Sequence, residues 1–551
     1  MSISKSKKTA LLTGAAIILF STPILANHGL GLRGPQILPQ NYGMQYNGAA
    51  YIAPQAQQYV YAQPVYGQPG PQPQVGYGQP VPRPQIGYPA PHLQTLPQAP
   101  VQRYQYASYG QNLGLRGPSN GFEFGGTSVR TSVRHTEKML DWQENTTGKS
   151  LTLLANKANG TLAPNSLTIG AGIKGGLMWQ KTSVPGQFPI LSRFPDFSPN
   201  TDDQAGVFAI NNAALAITGT FGEWTSFYLQ PEYSETEFSS TQSDFQLRKA
   251  FVVFGNLRKT PFYAAFGRKT IDFGNFDGYN AFTHTEAQHY FWAVSDQPVL
   301  EVGYYNINNG LKLSATAFSG GRQLRTAYAG EENNIGNYAA SIEKEFRFRN
   351  GSAFTVGTSY LHDTIYRNNF TAHTFGLINT LPPPANFIEY RNSAVDAFAE
   401  YTSPFLDLMV EYTTTLEPWA AAIPQDAAGN VDPAYLDTAG NILFDQNLEV
   451  LVAQARIKPM LPNGKRLAIA AVGSWGTIGD DFVGIGTGGQ PTTWEKNQQH
   501  ALSVEYPIND YLDFGAEYIY NKGFIPFVAP QLVSNDETEA HAINVGFKAR
   551  F

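Results

Sequence analysis

The sequence predicts an all-β protein: an antiparallel β-barrel of 16 strands that crosses an outer membrane and carries a disordered periplasmic extension at its N-terminus. Three observations predict this fold: an export signal, side chains that alternate between apolar and polar, and a regular series of short turns and long loops. They divide the chain into a signal peptide (1–26), a low-complexity periplasmic segment (27–126), a polar and partly helical periplasmic segment (127–165) and the barrel (166–551).

The first residues predict export. Lys5, Lys7 and Lys8 precede an apolar run over residues 10–20, and the small residue Ala26 suits cleavage before Asn27. The alternative, a membrane anchor, needs a longer apolar run to cross a bilayer. We therefore expect an outer-membrane protein of a Gram-negative bacterium whose N-terminal segment stays in the periplasm.

Composition narrows the class of protein. The chain has no cysteine, so disulfides, thiolate metal sites and thiol nucleophiles are excluded. A net charge of −6 argues against nucleic acid as a partner, because binding it needs a concentrated basic surface. There is no second long apolar run and hence no expected membrane-spanning helix, whereas 30 Tyr and 35 Phe suit the aromatic girdles of a membrane barrel.

The segment before the barrel changes character along its length. Residues 36–111 are rich in Pro, Gln, Tyr and Gly and nearly uncharged, which predicts an extended spacer without a core. The residues Leu-Gly-Leu-Arg-Gly-Pro at 30–35 recur at 113–118, either as a duplicated docking peptide or as a simple duplication. Around His135–Trp142 and Leu151–Asn156 the pattern allows a short helix or two, and its place, barrel mouth or periplasm, stays open.

From residue 166 the side chains alternate with a period of two. Leu311, Leu313 and Ala315 interleave with Lys312 and Ser314, so one face of the strand is apolar and the other polar. Charges recur on the polar face, and a hydrated lumen can accommodate them. The same alternation predicts strands at 167–180 and at 395–401.

Connection lengths predict the strand number. Seven tight turns are expected at 222–223, 255–259, 308–310, 350–351, 403–404, 463–464 and 507–510, three of them containing Asn-Gly. Eight longer polar stretches alternate with them, near 182–204, 235–243, 271–297, 320–336, 362–392, 415–445, 476–497 and 523–539. Seven turns and eight loops connect 16 strands, and an even number leaves both ends of the barrel on one side of the membrane.

The last strand carries an expected assembly signal. Ile543, Val545, Phe547 and Ala549 alternate with polar or small residues, and the chain ends at Phe551. A final alternating strand with a terminal aromatic residue resembles the signal that the barrel insertion machinery reads. The alternative is the edge strand of a soluble sheet.

The third long loop supplies the candidate ligand and pore-constriction residues. It follows the predicted fifth strand, Phe262–Arg268, and combines carboxylates with nearby cations, histidines and aromatic side chains that would set a local field and stack on flat ligands. The candidates are Arg248, Arg268, Lys269, Asp272, Asp277, His284, Glu286, His289, Tyr290 and Trp292. The alternative is that the aromatic residues join the interfacial girdle and the charges only solvate the rim.

Metal binding and catalysis are not predicted. His284, Glu286 and His289 would need a further ligand and a fixed geometry that the sequence does not show, so we expect no metal and no cofactor. The serine, histidine and acidic residues show no spacing that singles out a catalytic set, so we do not expect an enzyme.

The export signal, the variable segment and the barrel sequences at 166–170 and 265–276 resemble the siderophore porins typified by the legiobactin receptor of Legionella, which are related to iron-uptake barrels of Francisella. The resemblance implies uptake of ferric siderophore, or of ferrous iron, through a 16-stranded barrel without a TonB-coupled plug. It also implies contact with outer-membrane lipid and lipopolysaccharide. The Pro/Gln/Tyr-rich tract departs from the coiled-coil-like segment that family members often carry.

The strand number agrees with that implication, because TonB-linked receptors have about 22 strands and a plugged lumen. The sequence shows too few strands and no folded plug. A substrate-specific or general diffusion porin would share the topology and differ in its lumen, and a surface adhesin displaying its loops is a third alternative.

Overall fold

The computed structural model describes residues 121–551 except 125, 141, 187, 190–193, 196, 198–199, 237–243, 292–297, 363–392, 417–446, 448 and 524–537, and only short strands within 319–335 and 478–496. The signal peptide, the repeated hexapeptides and the spacer predicted at 36–111 lie outside the described residues. Within the described ranges no helix is long and apolar enough to cross a membrane.

The described chain is mostly strand. In chain order the strands are β1 (Gly121–Phe124), β2 (Thr127–Arg130), β3 (Ser166–Thr182), β4 (Gln204–Phe221), β5 (Thr225–Tyr233), β6 (Phe245–Gly255), β7 (Phe262–Arg268), β8 (Val299–Asn306), β9 (Leu311–Phe318), β10 (Gln323–Leu324), β11 (Ala327–Tyr328), β12 (Asn337–Arg347), β13 (Ala353–His362), β14 (Ala394–Thr402), β15 (Leu406–Thr415), β16 (Glu449–Ile457), β17 (Ala468–Thr477), β18 (Val483–Ile485), β19 (Pro491–Thr493), β20 (Asn497–Asn509), β21 (Leu512–Gly523) and β22 (Glu539–Arg550). Three helices, α1 (Val133–Met139), α2 (Lys149–Ala158) and α3 (Glu286–Phe291), complete the elements.

Sixteen of these strands form one closed antiparallel barrel, which confirms the predicted fold class. Each barrel strand pairs with its neighbours in sequence, and β22 closes the barrel by pairing with β3 from Ala540↔Thr182 to Arg550↔Gly172. The pairs β10–β11 and β18–β19 are separate small hairpins within long loops. The strand at Phe262–Arg268 has the predicted bounds and is the fifth of the barrel.

Short and long connections alternate around the barrel as the sequence predicts. All seven expected turns lie between paired strands at one end, called here the turn end, and the eight long connections leave the strands at the other end, called the loop end. In the three Asn-Gly turns, Gly310, Gly351 and Gly464 have φ of 70°, 79° and 77°, a backbone conformation that favours glycine. The first barrel strand begins and the last one ends at the turn end.

The two faces of the barrel wall differ in chemistry. Lys312, Ser314 and Thr316 are buried on the inner face of β9, whereas Leu313 between them is exposed on the outer face. Outward aromatic contacts form two belts: Phe221–Phe227 and Phe346–Phe354 near the turn end, Trp475–His500 and Tyr518–His541 near the loop end. An apolar outer band between aromatic belts is the architecture of an outer-membrane barrel.

The seam between the first and last strands has an additional strand pairing. Phe551 donates its backbone N–H to the carbonyl of Ala171 (3.0 Å), and beyond this point β22 no longer covers β3. There β2 pairs with β3 in parallel, from Ser128↔Ser166 to Arg130↔Thr168, and β1 pairs with β2. The segment expected to be disordered up to residue 126 therefore contains strand β1, because this hairpin satisfies backbone groups that β22 leaves uncovered.

Candidate pore constriction

After strand β2, the polar segment before the barrel lies inside the lumen. Residues 131–165, called the plug here, contain helices α1 and α2 at the two stretches where the sequence allowed helices. The Ser132 hydroxyl caps α1 by accepting the His135 backbone N–H (3.3 Å). The plug contacts inward positions of the wall: His135 Nε2 lies 2.8 Å from Thr218 Oγ1, and the Tyr228 phenol donates to the Met139 carbonyl (2.8 Å).

One side of the plug is a hydrophobic core against the wall. Its apolar side chains pack on inward residues of β4 to β8, an unusually apolar stretch for a lumen. The cluster consists of Met139, Leu140, Trp142, Leu151, Leu153, Leu154 and Leu162 from the plug, with Ala214, Ala216, Tyr228, Phe251, Val253, Leu257, Tyr263, Ala265 and Tyr305. The expectation of no folded plug is therefore wrong: these helices have an apolar face, and the inner wall provides a complementary apolar surface.

Glycines on the first strand allow the plug to come close. A Cβ at Gly172 would lie 2.4 Å from Leu140 Cδ1 and 2.6 Å from Trp142 Cζ2, and one at Gly170 would lie 1.8 Å from Thr136 Oγ1. Real side chains do not approach so closely, so both positions require glycine while the plug is docked.

Loop 3 connects β7 and β8, and its described residues 269–291 fold into the lumen and cross it. Asp272 lies against β9 and β12 near its start, where Lys312 donates to its carboxylate (2.8 Å) and Ser341 also donates (2.9 Å). On the far wall, Glu411 of β15 accepts the backbone N–H groups of Asn275 (2.8 Å) and Phe276 (2.9 Å).

Beyond Phe276 the loop continues across the wall to β16 and β21. Gln454 accepts the Tyr279 N–H (2.8 Å), and Glu517 accepts both the N–H and the hydroxyl of Thr283 (3.1 Å each). Loop 3 thus reaches from the fifth barrel strand to the fifteenth, which is the inward course expected of a constriction loop.

The plug and loop 3 are joined by hydrogen bonds and together form what we call the septum. The Asp277 carboxylate accepts the backbone N–H groups of Asn145 and Thr146, each at 2.9 Å. Gly278 donates its N–H to the Gln143 carbonyl (2.8 Å), and Gln143 Nε2 donates to the carbonyl of Phe282 (2.7 Å). Glu411 therefore holds loop 3 by its backbone amides, and Asp277 of loop 3 holds the plug in the same way.

Burial shifts the titration of several septum groups. It lowers the pKa of His135 to about 3, with help from Lys138, Arg130 and Lys149, so this imidazole is neutral in the docked plug. Burial raises the pKa of the Asp277 carboxyl, and the Asn145 and Thr146 hydrogen bonds oppose that rise. Burial alone would raise the pKa of Asp272, but the Lys312 ammonium holds it below its ordinary value.

A cavity of about 70 Å³ lies between the septum and the wall at the turn end. Its lining is rich in charged side chains from α1, from the plug connection and from strands β16, β20 and β22. Arg456 is central: it pairs with Glu144 and with Asp407 (2.8 Å), and its guanidinium lies 4.3 Å from the centre of the Tyr279 ring. Lys548 pairs with Glu505 (2.5 Å) on the same side.

The structure brings together some of the predicted site residues. Asp272, Asp277 and His284 all belong to the septum, and His284 Nε2 donates to the carbonyl of Trp142 (3.0 Å). Glu286 is buried in the first turn of α3, and neither carboxylate oxygen has a hydrogen-bond partner among the described residues. Burial raises its pKa to about 8.

The remaining predicted residues have other positions. Lys269 pairs with Glu301 of β8, Arg268 ends β7, and Arg248 is buried at the β5–β6 register shift, so these cations line the wall rather than the cavity. The backbone of His289 and Tyr290 belongs to α3, but their side chains, like all of Trp292, lie outside the described residues. The role of Phe551 in assembly stays a prediction.

Sequence reasoning missed the wall residues that hold the septum, above all Glu411, Gln454 and Glu517. Each occupies an inward position of a predicted strand, so a count of inward carboxylates and amides would have singled them out. Glu144 and Arg456 were missed because their pairing joins segments 312 residues apart. Among the described residues no group of three or more His, Asp or Glu side chains is placed to hold a metal.

Comparisons with known proteins find matches among solved structures. No protein-family model and no curated protein sequence matches the chain. Similar solved structures include the anion-selective porin from Comamonas acidovorans (10% identity, 70% of this chain and 99% of that one, TM-score 0.43). A second is the outer membrane channel DcaP of Acinetobacter baumannii (12% identity, 70% of this chain and 97% of that one, TM-score 0.41). A third is OprB of Pseudomonas putida at high pH (11% identity, 75% of this chain and 100% of that one, TM-score 0.41). Identities this low concern the fold alone.

Proposed function

We propose that this protein is a solute channel of the outer membrane whose conductance is limited by the septum. The observation that carries the proposal is the septum itself, which is bonded to opposite walls and leaves a charged cavity of about 70 Å³ beside it. That volume holds a few water molecules, whereas pockets for drug-sized ligands measure about 300–1,000 Å³. We therefore expect the docked septum to admit small solutes only.

Single-channel recording in planar lipid bilayers tests this proposal. The wild-type protein should show a small conductance, and Gly172→Val should raise it, because the new side chain would collide with Leu140 and Trp142 of the docked plug. Valine itself suits a strand, so the wall should remain intact. The matched control is Ala171→Val, which adds methyl groups to the outer face of the same strand.

Two results would contradict the channel proposal: no conductance from folded wild-type protein or from Gly172→Val, or an equal rise in the Ala171→Val control. Absent conductance would mean that the barrel does not transport solutes. An equal rise in the control would mean that the higher conductance comes from a change in the wall and not from displacement of the plug. Heat-modifiable migration in gels should show that all three proteins are folded barrels.

For the cargo we propose ferric siderophore, the class that the family resemblance implies. A ferric siderophore is too large for the docked state, so its passage requires the plug, loop 3 or both to move aside. The aromatic and charged groups at the constriction, such as Tyr279 beside Arg456, provide weak and distributed contacts that permit release.

We also propose that transport is independent of TonB. Because a plug is present, the only support for this part of the proposal is the strand number, which is below the roughly 22 strands of TonB-linked receptors. Uptake of radio-iron siderophore in cells lacking this protein, and separately in cells lacking TonB, tests both parts. Loss of uptake only in the first strain is the expected result. Unchanged uptake without the protein would overturn the cargo and leave the channel proposal standing, whereas dependence on TonB would overturn passive transport.

A further inference from the structure

We infer that the cavity beside the septum is an anion subsite, so that the channel prefers small anions such as chloride, phosphate or carboxylates over cations. The inference rests on the proposed channel function and adds its charge selectivity. It follows from the positions of two cations, Arg134 and Lys138, on helix α1. They stand four residues apart, which places both on one face of the helix, and both line the cavity.

The other charges around the cavity are engaged in ion pairs. Arg456 pairs with Glu144 and Asp407, and Lys458 also pairs with Asp407 (2.6 Å). On the opposite side, Lys548 pairs with Glu505, and Arg550 pairs with Asp513 (2.5 Å) and Glu137 (3.2 Å). Four cations thus pair with all five of these carboxylates, and no ion pair is formed by Arg134 or Lys138 within the described structure.

Arg134 and Lys138 reinforce each other's field. Burial, and to a lesser extent the neighbouring Arg134, lower the pKa of Lys138 to about 8, while Glu137 and Glu144 act in the opposite direction. A bound anion would stabilise the charged ammonium and replace the water that burial removes. The site can therefore gain more from an anion than from a cation.

Other carboxylates of the lumen do not offset this preference at the cavity. Asp272 and Glu411 lie where loop 3 contacts the wall. Their carboxylates accept hydrogen bonds from Lys312, two serine hydroxyls and two backbone amides. The cavity lies against β16, β17, β20 and β22. Arg134 and Lys138 line it, whereas Asp272 and Glu411 do not.

Reversal potentials under a KCl gradient, recorded with the purified full-length protein, test the inference. Wild type should favour chloride over potassium by on the order of threefold to tenfold, as expected for a focused local field. The double variant Arg134→Gln, Lys138→Gln should bring the ratio to about one or below. Lys138→Arg keeps the charge and should retain the preference.

The matched control is Arg349→Gln, which removes an exposed cation from the turn between β12 and β13, away from the cavity. It should leave the permeability ratio unchanged. Cation preference in wild type, or an unchanged ratio in the folded double variant, would overturn the subsite while the channel function stands. Absence of any conductance would overturn both.

Discussion

The plug packs a cluster of apolar side chains on the barrel wall, whereas loop 3 is tied to the wall by hydrogen bonds from its backbone. Leu153 and Leu154 of the plug are almost fully buried against the β4–β8 wall. Loop 3 instead offers backbone amides to Glu411, Gln454 and Glu517. The lumen therefore presents an apolar patch to the plug and a row of hydrogen-bond acceptors to the backbone of loop 3.

The difference assigns separate tasks to the two attachments. Burying a leucine side chain contributes about 1.5–3 kcal/mol, and it does so without fixed geometry. A hydrogen bond to a charged group contributes a similar amount, about 1.5–3 kcal/mol, only when donor and acceptor are aligned. Apolar burial thus keeps the plug in the lumen, while the carboxylates set the course of loop 3 and its register with the plug.

Truncating the apolar attachment should have the largest effect. In the double variant Leu153→Ala, Leu154→Ala each lost side chain should cost about 2–5 kcal/mol of plug docking. We expect rapid hydrogen exchange of the α2 backbone amides and a larger channel conductance, with the barrel still heat-modifiable. Leu300→Ala, which truncates an exposed leucine on the outer face of β8, is the control.

Retained protection of α2 in that double variant would show that the polar contacts alone hold the plug. Loss of the folded barrel would show that the plug is part of the wall's own core. Only a loosened plug in an intact barrel fits the proposed division between the two attachments.

The barrel could be predicted from the sequence because its signals are local. The Asn-Gly turns and the alternation of Lys312 and Ser314 with apolar neighbours need no knowledge of distant residues. The plug could not be placed this way, since its docking depends on contacts between α1 or α2 and strands far along the chain. The sequence pattern left the place of this segment open between the barrel mouth and the periplasm, although its helices have an apolar face.

One signal for the docked plug was present in β6 and β7. Residues 250–254 and 262–266 are apolar at nearly every position, so the alternation of apolar and polar side chains is lost there. Such runs are typical of strands buried on both faces, and here Phe251, Val253 and Tyr263 face the plug while Phe254 and Phe262 face outward. A loss of alternation within a predicted membrane barrel therefore indicates a luminal segment.

Removing the polar link between the two segments should have a smaller effect. Asp277→Ala leaves the amides of Asn145 and Thr146 without their acceptor, at a cost of about 1–3 kcal/mol. Hydrogen exchange should quicken at residues 143–147 and 274–279 while α2 keeps its protection. Asp277→Asn retains an acceptor oxygen and should give an intermediate result. Equal exchange in wild type and Asp277→Ala would mean that Asp277 does not join the segments.

The smallest expected effect concerns Glu286 and pH. Burial raises the pKa of this carboxyl to about 8, and neither oxygen has a hydrogen-bond partner within the described ranges. An exposed glutamate titrates near 4.3, so between about pH 4.5 and 8 the undocked loop loses a proton that the docked loop keeps. The docked state is therefore most stable below about pH 4.5 and loses stability as pH rises toward 8. Exchange of the α3 amides, corrected for intrinsic pH dependence, should increase over that range in wild type and stay flat in Glu286→Gln. A slope of equal size in the glutamine variant would assign the pH response to another group, and a slope of opposite sign would mean that Glu286 is ionised in the docked loop.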